Sequence, residues 1–580
     1  MIIRRTASRR ALALIATGLL TAGLAACASG SSPTDSMNMP KSSGADANAA
    51  SGSNELVMES SPENSITQDF NPFVSTAAPE GMGATGLVYE PLIQFDLADP
   101  GRKPYYWLAT KYQFSNAGKS ITFWIRPGVK WNNGKPMTAA DVAFTFNYVK
   151  QHSKGADNIN LGSLDISRVT DDLANNTVTI DFPTPQYMKL EQIAGQAILP
   201  QDQWKSIGNP ATYTDPDPIG TGPYVLGAFT PQGFTMVANK YYWQPVPVSR
   251  VFFPVYTSNT NALTALFSGQ IDWTGNYIPN LESDFVATDK ANHHYWEAAG
   301  SSNALWPNLK QWPTSELAVR QAIDVAINRT AIGKQGESGL EDPLLNASGI
   351  TLPTFQGWLA DDVKDMTVPA NGDAAAAGQI LQKAGYTKDS NGYWALNGRE
   401  VKLTIVDPSS YTDYVQSATL IASDLQKAGI NATFSGLTVN AWNADMTSGN
   451  FQLALHWGSN GITPYNLYDN WLDANLIGGG TGNFEQLKDG DIQTALQKLA
   501  NDQSPEEQTA DLAPIEKYVA THLPVIPTTT AADWFEYNSK RFVGWPTKDN
   551  PYESGQPSGN NNGPGTGSAE VVLLHLKPAS

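Results

Sequence analysis

A single cysteine, Cys27, in 580 residues leaves neither a disulfide framework nor a thiolate metal cluster to hold this chain together. Histidine is almost as scarce. The six are scattered, the adjacent His293 and His294 point in different directions on a helix or a strand, and no H-E-x-x-H occurs, so the zinc-hydrolase pattern is missing. No G-x-S-x-G is present either, which removes the serine elbow of the α/β hydrolases. No long basic run appears beyond residue 10. With a net charge of −18 and a pI near 4.8, a nucleic-acid partner is excluded, because phosphate binding needs clustered Lys and Arg.

What is present is a folding composition: 41% hydrophobic and only 16% charged residues can bury a core, and the length calls for three or four globular units. The chain begins with Arg4, Arg5, Arg9 and Arg10, continues through apolar Ala11 to Leu20 and reaches Leu24-Ala25-Ala26-Cys27. That order of basic, apolar and small residues is a secretory signal, and its apolar run is too short to span a bilayer comfortably. A cysteine directly after L-A-A resembles the bacterial lipobox, so residues 1–26 are expected to be removed and Cys27 to carry lipid. Residues 28–54 are Ser, Ala, Gly, Asn and Asp with almost nothing to bury. With Cys27 they are expected to form a flexible tether, 27–54, reaching roughly 30 Å.

From Glu55 onward the chain reads as folded. Gly81-Met82-Gly83-Ala84-Thr85-Gly86 fits G-x-G-x-x-G, but no strand precedes it, so it is taken as a flexible lead into a helix ending near Leu87-Val88-Tyr89-Glu90 rather than a dinucleotide site. In Ser120 to Val142, Ile121, Phe123 and Ile125 alternate as in a half-buried strand. Asn132-Asn133-Gly134 turns the chain, and Thr138-x-x-Asp141 opens a helix. Ser504-Pro505-Glu506-Glu507 is a second helix start.

The block Arg126-Pro127-Gly128-Val129-Lys130-Trp131 with Thr138-Ala139-Ala140-Asp141-Val142 resembles the family 5 extracellular solute-binding proteins of ABC importers. Further matches follow in the family's order: Gly220-Thr221-Gly222-Pro223-Tyr224, Asn239-Lys240-Tyr241-Tyr242-Trp243, Val319-Arg320-Gln321-Ala322, and Leu381-Gln382-Lys383-Ala384-Gly385-Tyr386. The resemblance implies an α/β, two-lobed periplasmic-binding-protein-like fold (class II, cluster C) with an extra subdomain in the first lobe. The expected boundaries are 55–100, 215–300 and 520–580 for the first lobe, 101–214 for the inserted subdomain and 301–519 for the second lobe. It also implies binding without catalysis, no cofactor, and a membrane permease with a separate ATPase as partners. Gly563 to Ser568 lacks the Lys of a phosphate loop, in keeping with ATP hydrolysis by a partner.

Ligand class turns on Phe451 to Tyr468, FQLALHWGSNGITPYNLY, an apolar strand running into a Gly/Asn/Pro loop. Peptide-binding members carry an Asp shortly after Trp-Gly here, and it pairs with the peptide's ammonium. This chain has neutral Asn460. Amides beside aromatic platforms suit a sugar, whose hydroxyls need partners and whose C–H faces stack on rings. The C-terminal stretches Phe542 to Tyr552 and Glu570 to Pro578 resemble a branch of the family associated with β-linked oligosaccharides. The expected ligand is therefore an oligosaccharide of cello-oligosaccharide type, with a peptide as the alternative. Trp457, Asn460, Tyr465, Trp442, Trp306, Asn303 and Trp534 are the expected contacts. A secreted glycoside hydrolase would need two carboxylates across one cleft, and a binding protein serving a sensor is a third possibility.

Overall fold

A computed structural model describes residues 55–579 apart from 61, 64, 75, 153–163, 459–460 and 558–567. The expected signal peptide 1–26, the tether, Cys27, Asn460 and the Gly563 to Gly567 stretch lie outside the described residues.

Two mixed sheets organise the chain. The first-lobe sheet has seven strands in the spatial order His293–Tyr295, Glu536–Asn538, Trp273–Thr274, Glu55–Glu59, Arg250–Pro254, Gly233–Ala238 and Tyr224–Thr230. The second-lobe sheet has five: Asn431–Leu437, Lys402–Pro408, Leu453–Trp457, Ala298–Pro307 and Ile526–Asp533. Helices Leu317–Ala326, Thr412–Lys427, Pro464–Leu472 and Pro505–His522 belong to the stretch that builds the second lobe. The architecture is the two-lobed α/β fold expected from sequence.

Between Gln94 and Tyr224 the chain forms a separate antiparallel sheet of Ala109–Ser115, Ser120–Ile125, Thr177–Asp181 and Arg168–Asp172. Ile121, Phe123 and Ile125 all point into the core that this sheet shares with the first lobe, as the alternation predicts. The helix Ala139–His152 follows where Thr138 and Asp141 place it: the Asp141 carboxylate accepts from Thr138 N at 3.0 Å and from Thr138 Oγ1 at 3.1 Å. Ser504 and Glu507 form a reciprocal cap at the start of Pro505–His522.

One local expectation, the end of the helix near Gly81, is corrected. The helix near Gly81 spans Ala78–Met82 and stops at left-handed Gly83, so Leu87 to Glu90 are not its end. Leu87 and Val88 instead offer their carbonyls to the G-T-G-P-Y turn, accepting from Tyr224 N at 3.1 Å and Gly222 N at 2.8 Å. That contact also explains the turn's glycines. A Cβ on Gly220 would sit 1.9 Å from Val88 O and one on Gly222 2.3 Å from Leu87 O, so close backbone approach, not an unusual backbone angle, requires them.

The chain crosses between sheets at Trp296-Glu297 and returns at Trp534-Phe535, after Ile526–Asp533 rather than at residue 520. The crossings are bonded to each other: Trp296 N donates to Phe535 O at 3.1 Å and Phe535 N to Glu297 Oε2 at 3.1 Å. A paired two-strand link of this kind is a natural hinge. In the second lobe the period-two alternation of the strands sorts residues onto two cores. Leu305, Leu453 and Leu455 face one, with Ile421 and Leu425; Trp306 and Ala454 face the other, with Trp471 and Leu496.

Candidate functional site

Lys402–Pro408 and Leu453–Trp457 are parallel neighbours, and Asn303 is the antiparallel partner of Trp457. Asp407 and Trp457 therefore stand at the carboxyl ends of adjacent parallel strands, where open α/β sheets hold ligands. The chain turns at Pro408 and enters the helix Thr412–Lys427, which brings Tyr411, Asp413, Tyr414 and Ser417 over the same strand ends. The turn Ile332–Gly336 supplies Glu337 beside them, close enough that a Cβ on Gly336 would meet Ser417 Oγ at 2.1 Å.

Aromatic rings form one wall. The half-buried Trp457 lies 6.4 Å from Tyr411, 6.3 Å from Tyr414 and 6.3 Å from Trp442, centroid to centroid. Trp442 stacks on His456 at 5.0 Å and 17°. The first lobe closes the other side with Tyr277 and Trp534, whose rings meet edge to face at 5.4 Å. Tyr277 donates its hydroxyl proton to Gly336 O at 3.2 Å and shares a 2.6 Å hydrogen bond with Ser338 Oγ. These contacts join the lobes beside the strand ends.

Carboxylates form the other wall. Asp407 is 0% exposed and neither of its oxygens has a hydrogen-bond partner. Burial, reinforced by the charge of Asp413, pushes its carboxyl well above the usual range. Glu337 accepts from Ser417 Oγ through one oxygen and has no partner for the other; burial, then Glu341 and Asp413, raise it in the same direction. Burial pushes Asp413 up to about 6. Glu341, raised to about 8 chiefly by burial, is fully engaged: it accepts from Asn303 Nδ2 at 2.9 Å, Thr529 Oγ1 at 2.8 Å and Ala532 N at 3.0 Å. Among the described residues none of these four acids pairs with Lys or Arg, and no group of His, Cys, Asp or Glu is arranged to hold a metal ion.

A second bridge between lobes lies close by. Glu191, buried in the helix Leu190–Ala194 of the inserted subdomain, accepts from Ile462 N at 2.9 Å and Asn466 Nδ2 at 3.2 Å on the segment after Trp457. Its neighbour Met188 is buried in the second lobe's core with Tyr465 and Trp471. Burial raises the Glu191 carboxyl to about 7.

The expected contacts separate into groups. Trp457, Trp442 and Trp534 are brought to the walls described above, and Asn303 reaches the same strand ends. The Asn303 amide, however, is committed to the protein, donating to Glu341 and accepting from Tyr414 OH at 2.7 Å, so it positions its neighbours. Trp306 does not line the site: it is 0% exposed on the opposite face of the strand, packed on His456 and Phe484 with Nε1 donating to His456 O at 3.3 Å. Strand alternation sends it there, since Asn303 and Leu305 take the other face. Tyr465 is also buried, its hydroxyl donating to Asp469 at 2.8 Å.

Sequence reasoning missed Asp407, Tyr411, Asp413, Tyr414, Glu337 and Tyr277. One signal was available: Asp407-Pro408 ends the apolar run Leu403-Thr404-Ile405-Val406, and an acid terminating a buried strand stands where such sheets bind ligands. Two spaces elsewhere among the described residues fit a solute poorly. A cavity of about 30 Å³ beside Phe70, Asn71 and Tyr89 has room for a water, and a groove of about 460 Å³ beside Leu359, Ala360 and Ala513 has no aromatic ring in its lining.

Residues 103–478 match the family of bacterial extracellular solute-binding proteins, family 5 middle. The chain belongs to this family. Among curated relatives, Protein XP55 of Streptomyces lividans is 29% identical over 409 residues, covering 69% of this chain and 71% of the relative. Among solved structures of the same fold is a mannohexaose-bound periplasmic oligopeptide-binding protein of an oligopeptide ABC transporter from Thermotoga maritima. It has a TM-score of 0.80 at 23% identity and covers 91% of this chain and 99% of that one. The oligopeptide-binding protein AppA of Bacillus subtilis, in complex with a nonapeptide, has a TM-score of 0.72 at 18% identity over 91% and 99% of the two chains. Family 5 members are solute-binding proteins, and no helix among the described residues is long and apolar enough to cross a membrane.

Proposed function

We propose that this chain is the solute receptor of an ABC importer, anchored outside the membrane by lipid on Cys27, which closes its lobes on an oligosaccharide and delivers it to a permease powered by a separate ATPase. The observation that carries the sugar reading is the pairing of an aromatic wall, Trp457 with Tyr411, Tyr414 and Trp442, with acceptors that the protein leaves unpaired at Asp407 and Glu337. Rings stack on the C–H faces of pyranoses, and carboxylates accept strongly from hydroxyl groups. The mannohexaose-bound Thermotoga maritima protein of the same fold supports this reading. Trp457, Trp442 and Trp534 are the expected stacking residues, with Asn460 among the polar contacts and the ligand of cello-oligosaccharide type.

A peptide ligand is the second reading, favoured by relatives such as the oligopeptide-binding protein OppA of Bacillus subtilis. A thermal-shift screen of purified protein against cello-, xylo- and manno-oligosaccharides beside di- to pentapeptides separates the two. Stabilisation by sugars supports the proposal; stabilisation by peptides alone replaces it.

A further inference from the structure

The acidic wall is more than a set of hydroxyl acceptors. Asp407 lies at the floor of the site with both oxygens bare and no exposure, and Glu337 has a bare oxygen beside it. A buried carboxylate without partners is costly, and its cost is offset when an opposite charge enters with the ligand. The groups that sense Asp407, namely Asp413, Glu337, Tyr411 and Tyr414, supply no cation. A neutral hydroxyl would fill one lone pair but bring no charge that lets the buried carboxyl ionise. An ammonium would satisfy both demands, since it carries three donors and a positive charge.

We propose that Asp407, with Asp413 and Glu337, forms a subsite for a protonated amine on the ligand, so that the favoured oligosaccharide is an amino sugar oligomer. The inference rests on the oligosaccharide reading above for the identity of the scaffold that carries the amine. It assigns the amine to the end of Lys402–Pro408, a different strand from the one whose following loop carries Asn460. The neighbouring elements fit that assignment. The start of Thr412–Lys427 holds Asp413, the turn after Gly336 holds Glu337, and Tyr277 and Trp534 cover the site from the first lobe with neutral groups. Trp457 and Tyr411 then face the sugar ring that bears the amine, where a ring face also favours a cation.

The test is calorimetric titration of the full chain with glucosamine tetramer, its fully N-acetylated counterpart and cellotetraose, at a pH where the free amines are protonated. The free-amine oligomer is expected to bind at least about tenfold more tightly than the other two. Asp407→Asn should abolish that preference, weakening the free-amine oligomer by about tenfold more than cellotetraose. Glu337→Gln should reduce the preference in part, and serves as the second variant if Asp407→Asn does not fold. Equal affinity for the free and acetylated oligomers overturns the proposal, as does an Asp407→Asn loss that falls equally on charged and neutral sugars. If no sugar binds and peptides do, the oligosaccharide reading fails by itself. The subsite is then decided by peptides with free and acetylated N-termini: a preference for the free amine that Asp407→Asn removes upholds it, and no such preference overturns it.

Discussion

Glu191 makes closure itself measurable. Its carboxylate holds Ile462 N at 2.9 Å and Asn466 Nδ2 at 3.2 Å across the two lobes. Glu191→Ala would remove both hydrogen bonds and leave the Ile462 amide without its partner. Leaving a buried donor unpaired costs about 1–3 kcal/mol. That cost falls only on the closed form, because parting of the lobes exposes these groups to water. Since ligand binding draws on the closed population, affinity should fall by about 5- to 150-fold. Glu191→Gln keeps an acceptor and should fall between. Calorimetry gives the affinities, and small-angle scattering of the ligand-free variant should show a larger radius of gyration. Unchanged affinity in Glu191→Ala with unchanged scattering would refute the reasoning and make this contact a passive one.

Three further outcomes follow from named contacts. Trp457→Ala should weaken ligand binding by about 30-fold, the effect of losing an interface residue worth about 2 kcal/mol, with little change in melting. Trp306→Ala should do the reverse, costing about 3–5 kcal/mol of stability because the ring is fully buried. Arg329→Met should cost about 3–5 kcal/mol in a denaturant melt, since it strands the Asp324 carboxylate 2.5 Å away and the Pro527 carbonyl that Nε reaches at 2.9 Å; a loss under about 1 kcal/mol would show that water replaces the guanidinium. Stability of the ligand-free protein should decline as pH rises. Burial raises Asp413 to about 6, Glu59 and Asp533 to about 7 and Glu341 to about 8. The folded chain therefore binds more protons than the unfolded one above the ordinary carboxyl range, and the stability these groups contribute at low pH is lost as pH rises from about 4 to about 8. A melting temperature that climbs over that interval would contradict the assignment of these groups as buried acids.

The two-lobed fold was legible because its punctuation is local. Thr138 with Asp141, and Ser504 with Glu507, announce helix starts through side-chain caps that need no tertiary context. Alternation in Ile121, Phe123 and Ile125 announces a strand in the same way. The site was only half legible. Trp457 and Trp442 drew notice as aromatics near a turn, but period two also governs Trp306, and choosing its face required knowing which core lay behind the sheet. Asn460 concentrated the question of charge on one loop, while the bare carboxylates arrive from the ends of other elements, at Asp407, Asp413 and Glu337. Their convergence comes from strand order: Lys402–Pro408 lies beside Leu453–Trp457 in space but well before it in the chain. The reason for the G-T-G-P-Y glycines was hidden likewise, since the crowding carbonyls belong to Leu87 and Val88.

The central claim is that the lobes close on an oligosaccharide against Trp457. Calorimetric titration of the wild-type chain and Trp457→Ala with a length series of oligosaccharides, and with a matched peptide series, tests it most directly. The account predicts saturable binding to sugars that weakens about 30-fold in the variant, with no comparable peptide binding. Tight binding of peptides with no heat from any sugar, or sugar binding that Trp457→Ala leaves untouched, would contradict it.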